Sequence, residues 1–382
     1  MKLTYPDYYP AFRCSASGCE DNCCIGWEID IDERAYADYM VQEGAFGQRL
    51  RGSIAQGEAP HFLLQGERCP FLNERNLCEI ILNLGESALC EICTQHPRFH
   101  EWFGDIKESG VGLCCEEAAK LILQNDGPIT FIQTETDEPA DLDFEDEPLL
   151  NALLAARNML FALLQDRRFS IWDRLTAALV FAEQLQAHLE EEAAPERIRA
   201  WVEARQAAPG VFMDKAQGQT RPAAEGTERR ILGELLAFYQ TLEPIDSGWP
   251  DQLGQLRTSL STLLAERKGF LQAHRACATE YEHLAVYFVY RYMLKAVYDG
   301  DVLGKIKLMA ASVLLIAWLD IAHWHAAHAF CKADQVRLAK RYSKEIEYCE
   351  ENLQRFADAS WEEGFLSMES LAVLLEGMAR EA

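Results

Sequence analysis

Ten of the thirteen cysteines of this 382-residue chain fall between Cys14 and Cys115. They read Cys14, Cys19, a vicinal pair Cys23 and Cys24, then Cys69, Cys78, Cys90-x2-Cys93, and a second vicinal pair, Cys114 and Cys115. Cys277, Cys331 and Cys349 are scattered over the remainder. Thiols at this density have three chemistries open to them: disulfide cross-links, ligation of a metal or an iron–sulfur cluster, and nucleophilic or redox catalysis. The compartment decides against the first. Met1 to Asp7 carries no apolar stretch of the kind found in signal peptides. The longest clean apolar run, Leu308 to Leu319 broken by Ser312, falls short of the ~20 residues that span a bilayer. The chain therefore reads as cytoplasmic, with no membrane span, where thiols stay reduced and their spacing points to metal or catalysis.

A thiolate is a preferred ligand for zinc and for iron–sulfur clusters. Cys14, Cys19, Cys23 and Cys24 are close enough for one loop to wrap an ion, and Cys69, Cys78, Cys90 and Cys93 form a second four-ligand set. The side chains of adjacent cysteines diverge, so a vicinal pair serves two irons more readily than one atom. Ten thiols exceed one site, and Cys114 and Cys115 stay in the candidate set beside the other eight. Spacing leaves zinc and iron–sulfur both open. His61, His96 and His100 read as surface or packing side chains. A nucleophilic cysteine needs a base beside it. Cys93 with His96 is the one local pairing, and it gives no reason for nine further thiols.

These residues need elements to hold them. Residues 1–125 carry the cysteines. Residues 126–148 contain no Lys or Arg and many acids, and read as a linker or acidic loop, with room for a short strand at Ile129 to Ile132. From Leu149 the apolar residues recur at a period of three to four, and Ser170-Ile171-Trp172-Asp173 has the form of a helix N-cap. Further amphipathic stretches run over 195–207, 228–243, 250–268, 277–299, 301–329, 334–356 and 361–380, with a long loop over 208–226. The expected fold is mainly α: a Cys-rich metal-binding N-terminal module followed by an all-helical C-terminal domain over 149–382. The hydrophobic share of 49% suffices for a real core, and the net charge of −25 excludes a phosphate-gripping nucleic-acid binder. It suits a basic partner, such as a protein bearing surface lysines.

The stretches Phe12 to Trp27 (FRCSASGCEDNCCIGW), Cys69 to Leu72 (CPFL), Cys90 to Arg98 (CEICTQHPR), Leu113 to Ala118 (LCCEEA) and Tyr342 to Glu347 (YSKEIE) resemble the zinc- or iron-chelating CxxCxxCC family. The chain looks more closely like the flagellin lysine-N-methylase family, which joins that cysteine module to a helical region. The gaps of four and three residues in the first loop depart from the short CxxCxxCC spacing. The resemblance implies methyl transfer from S-adenosylmethionine to lysines of flagellin by a protein carrying an iron–sulfur cluster of the 4Fe–4S kind, with zinc as the alternative. A non-catalytic metal-binding scaffold or electron-transfer module is the other reading.

The sequence has no strand leading into a GxGxxG turn, so a Rossmann-type cofactor site is not expected. The Cys-x3-Cys-x2-Cys spacing of radical chemistry is absent too. His323, His325 and His328, with Asp320, read as a polar helix end, with a second metal site as the other reading. Tyr281, Tyr287, Phe288, Tyr290, Tyr292 and Tyr298 read as a packing stripe with hydroxyls at the surface, with the lining of a sulfonium or methyl-lysine site as the other reading. Glu345 and Glu347 read as surface partners of Arg341 and Lys344, and Trp27 as a shield for a cluster or a core side chain.

Overall fold

Periodic apolar residues after residue 147 wind into helices, and the earlier third of the chain folds around shorter elements. The computed structural model describes residues 1–19, 23–26, 28–55, 57, 59–66, 68–140, 144–206, 210–213, 224, 226–275 and 278–381. Four strands, β1 (Lys2–Pro6), β2 (Arg98–Phe103), β3 (Ile106–Val111) and β4 (Phe131–Glu135), form one sheet in the order β2-β3-β1-β4. β1 runs parallel to β3 and antiparallel to β4, and β2 pairs antiparallel with β3. The acidic stretch therefore carries an edge strand, two residues beyond the place where a short strand was expected.

The early helices are short: α1 (Glu33–Met40), α2 (Gly44–Gly52), α3 (Glu79–Leu84), α4 (Glu91–Gln95) and α5 (Glu116–Leu123). The later ones are α6 (Glu147–Leu164), α7 (Ile171–Glu190), α8 (Pro195–Gln206), α9 (Thr227–Gln240), α10 (Trp249–Thr258), α11 (Leu260–Ala273), α12 (Ala278–Tyr292), α13 (Ala296–Asp299), α14 (Val302–Ala327), α15 (Lys332–Glu347), α16 (Glu350–Glu362) and α17 (Met368–Ala379). The fold is mainly α. Ser170 caps α7 as expected, its side chain accepting from the Asp173 amide. Three of the long helical stretches are broken. 250–268 divides at Ser259, 277–299 tightens into a 3-10 turn at Met293–Lys295, and 334–356 breaks at Tyr348 and Cys349. The loop expected over 208–226 lies mostly outside the described residues, as do Trp27 and Cys277.

α14 is the centre of the helical body. It packs against α7, α11, α12, α15 and α16, and all but one of its first twenty residues are buried. By length and composition α6 and α14 could each cross a membrane; 94% of the most apolar stretch of α14 is buried inside the protein, and 56% of that of α6. A buried bidentate ion pair, Arg157 to Glu108 at 2.5 and 2.6 Å, fastens α6 to β3. The Tyr290 hydroxyl donates to the carbonyls of Thr4 and Ser109, so α12 holds β1 and β3 together.

The buried side chains of residues 1–125 divide between two cores. Tyr8, Phe12, Phe103, Val111, Leu113 and the inner face of α5 join the large core of the helical body. Ile29, Ile31, Tyr39, Leu50, Phe62, Phe71, Ile80 and Leu89 form a second, small core together with Cys69 and Cys90. Tyr39, Phe62, Phe71 and Phe46 pack ring against ring through its centre.

Candidate functional site at the junction of the two cores

Three separate loops carry thiols into the small core. The first holds Cys24, whose carbonyl accepts from the Cys69 amide at 2.9 Å where Ile25 bridges to Arg68. The second is the Cys69-Pro70-Phe71-Leu72 turn. It closes through an antiparallel bridge between Leu72 and Cys78, and through Asn73, whose side chain accepts from the amides of Arg75 and Leu77. The third is the start of α4, with Cys90 as its N-cap and Cys93 one turn on. Asp32 joins the third loop to α1. Its carboxylate accepts from the Ala35 amide at 3.0 Å and from the Glu91 amide at 2.6 Å. Burial works against that carboxylate, and the two amides still hold it below the usual carboxylate range.

Cys24, Cys69, Cys78, Cys90 and Cys93 thus gather in the small core as free thiols, with Cys23 hydrogen-bonded to Cys24 and Cys93 hydrogen-bonded to Cys90. Burial pushes the Cys69 thiol up to about 11 and raises Cys78. The hydrogen bond with Cys23 raises Cys24, and the hydrogen bond with Cys90 raises Cys93 while lowering Cys90 itself. Within the first loop set, Cys23 is hydrogen-bonded to Cys24, and Cys19 and Cys23 both lie near Cys115. Cys14 is exposed, its sulfur accepting from the Ala16 amide at 3.4 Å, and Cys19 meets Glu116 at 4.0 Å. Cys114 is buried and bonded to Tyr348, and Cys115 caps α5. Five clustered thiols are donors of the right kind and number for a soft cation or an iron–sulfur cluster. Among the described residues, no three Cys, His, Asp or Glu side chains stand in an ion-holding arrangement.

The small core docks on the helical body where α15 ends. Lys344 donates to the Ile25 carbonyl at 3.3 Å, one residue beyond Cys24. Glu345 and Glu347 are buried, not surface partners of Arg341 and Lys344 as their positions in sequence suggested. Helical periodicity alone could not reveal this, because both faces of α15 near its end are covered. Glu345 accepts from the amides of Ile245 and Asp246, and burial raises its carboxyl. Glu347 Oε2 accepts from Tyr292 at 2.8 Å and Tyr287 at 3.0 Å and pairs with Arg291 at 3.2 Å. Its Oε1 is buried with no hydrogen-bond partner among the described residues. The tyrosine stripe of α12 therefore turns its hydroxyls inward, except Tyr298 at the following helix, whose hydroxyl meets the Trp102 carbonyl in the open.

Arg291 lies among four rings, with its guanidinium 4.9 to 5.9 Å from the centroids of Phe99, Tyr287, Tyr292 and Tyr348. Such a cage stabilises a desolvated cation. The break after Glu347 is what turns Tyr348 into it, against Cys114 and the His96 ring. Gly112 passes so close that a Cβ there would meet the Tyr348 hydroxyl at 2.2 Å. Burial, then Arg291 and Lys344, push the His96 imidazole down to about 4. Arg291 and Tyr348 were not marked by the sequence, whereas Tyr287, Tyr292 and Glu347 of the same cluster were singled out there. His61 pairs with Glu28, and His100 with Gln95 and Ser109. His323 and His325 pair with Asp334 and Glu266 at the end of α14, a polar helix end as expected.

The chain is similar to the flagellar biosynthetic protein FliU of Salmonella muenchen, at 29% identity over 134 residues that cover 33% of this chain and 79% of that protein. It is 30% identical over 140 residues to the lysine-N-methylases of Salmonella typhimurium strain LT2 and Salmonella choleraesuis, a stretch that spans 33% of this chain and only 33% of either relative. No solved structure matches it. Residues 157–374, more than half of the chain and nearly all of its helical body, match the model of the FliB lysine N-methylase C-terminal domain, and on that match the chain belongs to the FliB lysine N-methylase family.

Proposed function

We propose that the chain is an S-adenosylmethionine-dependent protein lysine N-methyltransferase, acting in the cytoplasm on a flagellin-type substrate and carrying a cysteine-ligated iron–sulfur cluster. The observation that carries this reading is the family match over residues 157–374. S-adenosylmethionine, when bound, supplies an electrophilic methyl group on a sulfonium. The protein's part is to desolvate a lysine, hold its nitrogen neutral and in line, and accept the proton it sheds. The junction offers groups suited to those tasks. Glu347 has one oxygen committed to three donors and a second with none among the described residues, able to accept from an amine N–H. Phe99, Tyr287, Tyr292 and Tyr348 already surround one cation, Arg291. Of the ten candidate ligands, Cys24, Cys69, Cys78, Cys90 and Cys93 are the ones gathered in the small core, and they would hold the cluster.

Full-length chain purified without oxygen, incubated with flagellin and S-adenosylmethionine, should add whole methyl units to flagellin lysines in intact-mass and peptide mass spectra. Iron and acid-labile sulfide should co-purify in stoichiometric amounts. Stoichiometric zinc without sulfide would overturn the cluster. Bound metal with no methylation and no cofactor binding would leave the scaffold reading in its place.

A further inference from the structure

The chain has a formal charge of −25, yet one cavity is walled by guanidinium groups. It holds about 470 Å³ and lies between the segment that leads into α7, the end of α11 and the start of α12. Arg167, Arg168, Arg174 and Arg275 line it, and among the described lining residues Glu282 is the only acid. Arg174 is buried, with a side chain 3% exposed, and is held by the Leu164 carbonyl and by Glu282 at 2.6 Å. Arg167 reaches the same carboxylate at 2.9 Å and the Asp126 carbonyl at 2.7 Å. Glu282 thereby fixes two guanidiniums and neutralises one of them. Arg168 stands at the rim, paired with Asp166. Arg275 is exposed and has no hydrogen bond or ion pair among the described residues.

Two further features favour an anion. α7 begins on the cavity wall at Ser170, so the positive end of a twenty-residue helix adds to the field. Phe169, Trp172, Phe270 and Tyr281 give the same cavity apolar ring surface. Guanidiniums grip phosphate oxygens in paired, directional bonds, and several of them suit a multiply charged group better than a single carboxylate.

We propose that this cavity binds a phosphate-bearing small molecule of nucleotide size. Its phosphates lie on Arg174, Arg168 and Arg275, and its ring system lies against the aromatic wall. None of the lining residues belongs to the junction, so the proposal stands apart from methyl transfer. One element joins the two places. Tyr281 and Glu282 lie in the first turns of α12, and Tyr287, Arg291 and Tyr292 stand on the same helix roughly 8 to 16 Å further on. A ligand that tightens the start of α12 therefore bears on the Arg291 cage.

The test is calorimetric titration of the full chain with ADP, adenosine, inorganic pyrophosphate and S-adenosylhomocysteine. ADP should bind, adenosine should bind at least about tenfold more weakly, and Arg275→Glu and Arg168→Gln should each weaken ADP by about tenfold. Both arginines are exposed, so an unchanged melting temperature in each variant separates lost contacts from lost fold. The proposal is overturned if ADP shows no heat of binding, if adenosine binds as well as ADP, if Arg275→Glu leaves ADP affinity unchanged, or if S-adenosylhomocysteine binds with the same arginine dependence while ADP does not.

Discussion

Glu347 and Arg291 meet at 3.2 Å with side chains 0% and 12% exposed. Removing one member of such a pair strands a desolvated charge, which costs more than the pair itself contributes. Glu347→Gln should keep an acceptor for Tyr287 and Tyr292 but leave Arg291 uncompensated, at a cost of about 3 kcal/mol in urea unfolding. Adding Arg291→Met should return part of that loss, because the stranded charge is then gone. A double variant as unstable as the sum of the two singles would mean that the residues do not act as a pair. His96 gives a prediction in pH. Its imidazole is held neutral down to about 4 in the folded protein, against roughly 6.5 when unfolded. The unfolded state therefore takes up the proton first as pH falls. The contribution of His96 is fully present above roughly pH 6.5 and is lost progressively down to about pH 4, amounting to about 3 kcal/mol at most. His96→Gln should flatten that part of the stability–pH curve, and an unchanged slope would assign the acid sensitivity elsewhere. The types of these residues were legible in sequence and their partners were not. Tyr287 and Glu347 lie sixty positions apart, and only the folded crossing of α12 and α15 brings them together.

At the scale of elements, the helices of the second half followed from apolar periodicity, and the α7 cap followed from Ser170 and Asp173. The breaks did not. Nothing in the composition around Ser259 or Tyr348 forbids a continuing helix. At Tyr348 the turn is favoured by contacts with Arg291 and Cys114, which are tertiary. Asp32 is another element-scale feature that sequence hides. It looks like the N-cap of α1 alone, yet it also accepts from the first amide of α4, fifty-nine residues away. Asp32→Ala should therefore cost about 1–2 kcal/mol and loosen two helices at once. Hydrogen exchange checks this directly: the amides of Ala35 and Glu91 should both exchange faster, while those of α14 keep their protection. Faster exchange at Ala35 alone would reduce Asp32 to an ordinary cap.

For the whole molecule, the two cores differ greatly in size, and the small one carries the thiols. Among the described residues its buried set is thirteen side chains, Ile29 to Cys90, two of them cysteines. A core of that size gives little stability by itself, so its order rests on docking to α15 and on whatever ties its three loops together. The cysteine positions were plain in the sequence from the outset. What the sequence concealed was that β1 and the segment from Arg98 to Leu123 leave the thiol region and join the large core, because strand pairing such as Lys2 with Ile106 is long-range. This division makes the last prediction specific. If a cluster bridges the loops of Cys24, Cys69–Cys78 and Cys90–Cys93, its binding energy adds to the folded state of the small core alone. Anaerobic chelation of the full chain should then speed exchange at amides such as those of Phe62, Cys69 and Leu72, whose bonds lie within that core. The amides of α7, α12 and α14 should be unaffected. Exchange that rises evenly across both cores would show that the metal supports the whole fold, and exchange that does not rise at all would show that the thiols hold nothing the small core depends on.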